Sequence, residues 1–288
     1  MSEVLRHELA GLGVVATAVG AVLVLAETAR RHLGWDAEHT RKLAHVGSGL
    51  IAAAFPWLFS SALSVGVVTG GFAVFMAVTD RQGLLLSVHA VARRTSGSAF
   101  FPCGVALAFL ASARPAPFVS AMLVLAVGDA AAALVGRRYG RHAHRFGCAV
   151  RSVEGSAALF LTTVVVVTSA LRLLDRLPPA GALAWGLAVA ALATMIEIAA
   201  QDGSDNLLLP VAVALALAPA TGPARGAALV LVVVATAVLA SLLEAARQPE
   251  AAGSGGRRRG APVSGSFARV LGVRPAALLH LARSGGPW

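Results

Sequence analysis

Phe118 to Gly136 reads FVSAMLVLAVGDAAAALVG, an apolar run broken by one ionisable residue, Asp129. About 20 apolar residues in helical form cross a bilayer core. Lipid offers backbone groups no hydrogen-bond partners, so such a run is either a helix or part of a closed barrel. Barrel strands alternate apolar and polar residues, and this run does not, so it reads as a helix. Comparable runs occur at 9–27, 43–59, 61–79, 98–112, 156–171, 181–200, 206–219 and 226–244. The expected fold is therefore an all-α polytopic transmembrane bundle of about nine spans. The runs at 98–112 and 206–219 are short for a full crossing, which predicts thin, tilted or partly re-entrant helices. Those at 43–59 and 61–79 nearly abut, as a tight hairpin or one broken unit.

Composition agrees. The chain is 57% apolar and only 13% charged, where a soluble domain carries about 25% charged residues, and its mean hydropathy is +0.76. Glu3 and Glu8 precede the first run and no small-residue cleavage site follows it, so it reads as an uncleaved helix rather than a signal peptide. Lys and Arg favour cytoplasmic loops. They gather in 30–42, 81–94, 137–151 and the tail, while the intervening loops carry at most two each. This places the N-terminus outside and the C-terminus in the cytoplasm, as for a protein of the bacterial inner membrane. The net charge of +10 is then mostly topological and does not signal nucleic acid. Residues 1–246 form the expected catalytic domain, and 247–288, with GSGGRRRG near its start, read as a flexible basic tail. Cys103 in a span and Cys148 in an inside loop predict no disulfide.

Ionisable groups inside spans are costly and mark function by default. Glu27 sits beside Arg30 and Arg31 at a helix end, where pairing explains it. Asp129 lies deep among small residues, with Gly128 and Gly136 allowing close approach of another backbone or of a ligand. Ser152 and Glu154 in RSVEGS, and Asp205–Asn206 before LLLP, by themselves read as helix starts. In RKLAH, Arg41 and Lys42 sit at the membrane surface and His45 one turn inward. The charge-derived topology puts all these segments in one compartment. Together they offer carboxylates for Mg²⁺, cations for phosphates and glycines for close approach, the parts phosphoryl transfer needs. Nothing matches GxxxxGK[ST], so no soluble P-loop is present.

RKLAHVGSG, GDAAAALVGRRYG, RSVEGSAALF and IEIAAQDGSDNLLLP, in that order over residues 41–217, resemble the polyprenol kinase family. That family includes dolichol, phytol and farnesol kinases and a CTP-dependent diacylglycerol kinase. Arg151 stands where the family usually carries Lys. The resemblance implies γ-phosphate transfer from CTP, with Mg²⁺, to a membrane isoprenoid alcohol such as phytol or dolichol. It implies Asp129 as Mg²⁺ ligand or activator of the hydroxyl, with Asp205 and Glu154 as further metal-binding or supporting carboxylates. Arg41, Lys42, Arg137 and Arg151 would neutralise the triphosphate, and Gly128, Gly136 and Gly155 would admit it closely. Asn206 and Ser152 would donate hydrogen bonds, with His45 and Glu197 orienting neighbours. The expectation is also that losing Arg41 or Arg151 exposes no buried charge. The rival readings are a CTP-dependent phosphatidate cytidylyltransferase, which would transfer CMP, and a transporter with Asp129 and Glu197 on its path.

Overall fold

A computed structural model of the chain describes residues 3–89, 97–146 and 149–221. The apolar run at 226–244 and the tail lie outside the described residues. In chain order the helices are α1 (Glu3–His32), α2 (Ala37–Ala53), α3 (Phe55–Leu58), α4 (Ala62–Arg81), α5 (Leu86–His89), α6 (Gly97–Leu110) and α7 (Pro115–Leu123). A π-helical turn (Val124–Gly128) then leads into α8 (Asp129–Tyr139). Two short strands follow, β1 (Ala143–Phe146) and β2 (Ala149–Ser152), and then α9 (Val153–Leu173), α10 (Pro179–Ala199) and α11 (Asp205–Leu217).

The first eight predicted runs fall on helical segments, with the run at 43–59 divided between α2 and α3 and that at 118–136 running through α7, the π turn and α8. Among the described residues five helical segments are long and apolar enough to cross a membrane: α1, α4, the continuous α7–α8 segment, α9 and α10. Gly97–Leu110 and Asp205–Leu217 are shorter apolar helices, as their short runs predict. Pro102 and Pro210 lie inside them. The runs at 43–59 and 61–79 form a broken unit, with α3 starting on Phe55–Pro56 between α2 and α4.

Local chemistry sets the starts. Asp36 caps α2, its Oδ1 accepting from the backbone N–H of Glu38 at 2.8 Å and of His39 at 2.9 Å. The His39 N–H holds this carboxyl below the usual carboxylate range. Ser61 caps α4 and Ser152 caps α9 in the same way, each side-chain oxygen satisfying a helix N–H that has no intrahelical partner. Prolines open α7 and α10, where a missing N–H does no harm.

The α7–α8 segment and α10 form the buried centre, while α1 and α4 turn most of their apolar surface outward. Phe118, Met122, Leu125, Leu159, Leu209 and Leu217 fill the core. The small hairpin of β1 and β2 departs from a purely helical expectation. Its antiparallel register sets His144 opposite Arg151, so the Arg-rich loop before α9 has defined backbone geometry. At the end of the bundle near the α2 C-terminus, Glu8 accepts from the Ser60 N–H at 2.8 Å. Arg114 pairs with Asp175 and also donates to the Leu217 carbonyl at 2.9 Å.

Candidate functional site

At the opposite end, four segments distant in sequence converge. Lys42 on α2 forms an ion pair with Asp129, the first residue of α8, and the two side chains are only 12% and 15% exposed. His45, one turn further along α2, places Nε2 3.5 Å from the same carboxylate oxygen and 3.2 Å from the Leu125 carbonyl. A carbonyl only accepts, so Nε2 carries the proton in that contact.

The π turn explains why that carbonyl is at hand. The Asp129 N–H reaches back five residues to Val124 O instead of four to Leu125 O. Such a turn inserts a residue into an α-helix and is frequent at functional sites.

Arg151, in the third segment near the end of β2, reaches the fourth, the turn from α10 to α11. Its Nη1 lies 2.9 Å from Glu197 Oε1 at the end of α10, and its Nη2 3.5 Å from Asp205 Oδ2 at the start of α11. Glu197 is almost fully buried and also accepts from Ser156 Oγ at 3.2 Å. Arg151 Nε is buried without a hydrogen-bond partner among the described residues. Asn206 beside Asp205 is buried and donates from Nδ2 to the Gly203 carbonyl at 3.3 Å. The two halves are one electrostatic cluster: Asp129 feels Arg151 as well as Lys42 and His45, and Arg41 feels both Asp129 and Asp205. Arg41 itself holds Glu38 through two bonds, at 2.6 and 3.1 Å.

Other expected site residues are placed differently. Glu154 takes His142 Nδ1 at 2.7 Å and the His142 N–H at 3.3 Å, tying the hairpin to α9. Ser152 is engaged as the α9 cap, accepting from the Gly155 N–H at 3.0 Å. Arg137 is exposed on the last turn of α8 and makes no ion pair among the described residues.

The glycines allow close approach between helices. A Cβ on Gly155 would sit 2.8 Å from the Ala132 carbonyl, and one on Gly136 2.9 Å from Ser152 Oγ. One on Gly128 would meet Leu159 Cδ1 at 2.8 Å. These contacts draw α8 against α9 and so bring Arg151 towards Asp129. The expectation about Arg151 is corrected: removing it strands the buried Glu197.

Sequence reading passed over Glu38, although its i,i+3 spacing to Arg41 is a pairing signal. It also passed over the Leu125 carbonyl, for which no residue pattern speaks. Among the described residues no group of three or more His, Cys, Asp or Glu is placed to hold a metal ion.

A curated relative, a phytol kinase from Synechocystis sp., is 33% identical over 208 residues, which cover 71% of this chain and 88% of the relative. No family model matches the chain, and no solved structure matches it.

Proposed function

The chain belongs to the polyprenol kinase family, and from that premise we propose that it transfers the γ-phosphate of CTP to the primary hydroxyl of an isoprenoid alcohol. It is a membrane lipid-alcohol kinase; the donor, the acceptor and the cytoplasmic placement of the site are the proposal. The observation that carries it is the meeting of Arg41, Lys42 and Arg151 with Asp129 and Asp205 at one end of the bundle.

Each of these cations holds a carboxylate, and Arg151 keeps one buried donor without a partner among the described residues. A triphosphate entering the cluster exchanges these partners for its own oxygens. Arg41 and Arg151 take phosphate oxygens through the guanidinium fork, and Lys42 acts as a point charge. Arg137 adds a cation from the exposed end of α8. The lipid oxygen then forms a bond to the γ-phosphorus as the bond to the bridging β-oxygen breaks, and CDP leaves. Asp129 stands where it can take the hydroxyl proton or ligate a cation, and His45 fixes its orientation.

Mg²⁺ fits this donor set. It is commonly held by one or two carboxylates with the substrate's phosphates and water rather than by an all-protein cage, and Asp129 and Asp205, both bound to cations of the cluster, are carboxylates of that kind. Asp129 and Asp205 would hold it. When bound, the ion offsets charge on the β- and γ-oxygens.

The test supplies membranes containing the protein with CTP labelled at either the α- or the γ-phosphate, together with mixed isoprenoid alcohols and phosphatidate. Label from the γ position in a lipid monophosphate is expected. Label from the α position would make the protein a cytidylyltransferase, and an unlabelled lipid fraction would end the proposal.

A further inference from the structure

An apolar cavity of about 460 Å³ lies among α1, α2, α4 and α6, and the chemistry described so far makes no use of it. It runs along α1 from Leu12 to Leu23, about 16 Å at the rise of an α-helix. One end abuts the charged cluster. Phe101 lines the cavity and packs edge-on against His45, with ring centroids 5.4 Å apart. Ser48, one turn beyond His45 on α2, lies in the wall. The sides close where α1 packs on α2 and α4 packs on α6, while α1 and α4, and likewise α2 and α6, touch each other only slightly. The buried α7 packs on both α2 and α6, so the α1/α4 seam is the side entrance from lipid. Gly20 and Gly71, one on each side of it, line the cavity with nothing within 4 Å of their Cβ positions.

We infer that this cavity is the acceptor-chain site: it takes the first three to four isoprene units of the alcohol through the α1/α4 seam and delivers the hydroxyl beside His45 and Asp129. The inference rests on the lipid-alcohol kinase reading of the charged cluster. The size follows from the volume. A 150 Å³ cavity accommodates benzene, about 25 Å³ per carbon, so 460 Å³ holds roughly 18 carbons. Longer polyprenols fill the same cavity and trail their remaining units into the bilayer through the seam. The alcohol comes from the bilayer, where its chain is already out of water, so each added carbon gains packing contacts with the cavity wall rather than transfer from water, and affinity rises with chain length until the cavity is full and then levels off.

Two measurements on the full-length protein in lipid nanodiscs test this. The first is the KM for isoprenoid alcohols of 10, 15, 20 and 30 carbons at fixed nucleotide. KM is expected to fall at least tenfold between 10 and 20 carbons and to stay level beyond. Gly20→Leu and Gly71→Leu place bulk in the cavity without a Cβ clash, and should reduce that tenfold gain to threefold or less while the nucleotide KM stays unchanged. Gly13→Leu and Gly66→Leu have equally open Cβ positions but lie outside the cavity, and should keep the wild-type profile.

The second measurement is photo-crosslinking with a diazirine-bearing 20-carbon isoprenoid alcohol, read by peptide mapping and independent of phosphate transfer. Label is expected on the cavity faces of α1 and α4 and should be lost in Gly71→Leu. If phosphate transfer is normal but the chain-length profile survives both cavity variants, or the label maps elsewhere, the cavity assignment is overturned and the kinase reading stands. If no alcohol is phosphorylated yet the label maps to the cavity, the kinase reading falls and the lipid site stands.

Discussion

Asp129→Asn changes one oxygen to an amide nitrogen, and the structure allows its two consequences to be separated. The first is chemical. Removing one charge-stabilising group from a preorganised site costs on the order of 10²–10³ in rate, whether Asp129 holds a cation or takes a proton. The second is structural, because Lys42 loses the carboxylate it pairs with at a position 12% exposed. Breaking a buried pair from one side costs about 3–5 kcal/mol, enough to lower abundance. The double variant Asp129→Asn/Lys42→Met removes the stranded ammonium and should regain most of that stability without regaining turnover. The assay is therefore turnover per folded molecule, with folded protein counted by fluorescence-detected size exclusion and stability read from the thermal midpoint. The single variant should be less stable and at least a hundredfold slower per folded molecule. The double variant should melt near wild type and remain slow. A single variant that turns over within threefold of wild type, however scarce, would make Asp129 a packing residue and refute the reasoning.

The other predictions concern the frame around that pair. Arg151→Ala leaves Glu197, 5% exposed in its side chain, and Asp205 without their shared cation, so yield should fall along with nucleotide affinity. Arg151→Lys should restore yield more than affinity, and a stable Arg151→Ala with normal CTP binding would contradict both roles. Gly155→Ala drives a methyl into the Ala132 carbonyl, and overpacking of this kind costs about 1–3 kcal/mol; an unchanged melting temperature would show that α8 and α9 are not held by this contact. Reporter fusions after residues 37, 88 and 145 should lie in the cytoplasm and fusions after 115 and 177 outside, and finding 145 and 177 on one side would break the shared-face arrangement.

The bundle was legible because the membrane leaves a helical chain few choices, and charge counting paired the loop ends that the structure brings together. The helix boundaries were less so. α2 begins at Ala37, before its apolar run, because Asp36 caps it and Glu38 to Lys42 continue the helix through polar residues. That polar turn carries Lys42 and, with it, His45 towards Asp129. The His142 partner of Glu154 was not legible, because a carboxylate in a first helical turn looks the same in sequence whether or not a histidine twelve residues back reaches it. The nearest neighbours of Gly128, Gly136 and Gly155 are Leu159, Ser152 and Ala132, on segments whose approach no local pattern reveals. The hairpin before α9 was hidden in a loop whose arginines spoke first for topology.

The π turn at Val124–Gly128 separates two demands on one helix. Upstream, α7 is buried on nearly every side; downstream, α8 must present a single carboxylate to Lys42. One residue advances a helix by about 100°, so the extra residue acts as a phase offset between the two halves. The aim of Asp129 is then encoded in how many residues precede it, more than in which residues they are. Conservative exchanges among Val124, Leu125 and Ala126 would repack the core and leave the carboxylate on target. Deleting any one of them would keep the apolar composition intact and turn the carboxylate away from its partner. For this stretch, residue count carries the instruction and residue identity fills the core.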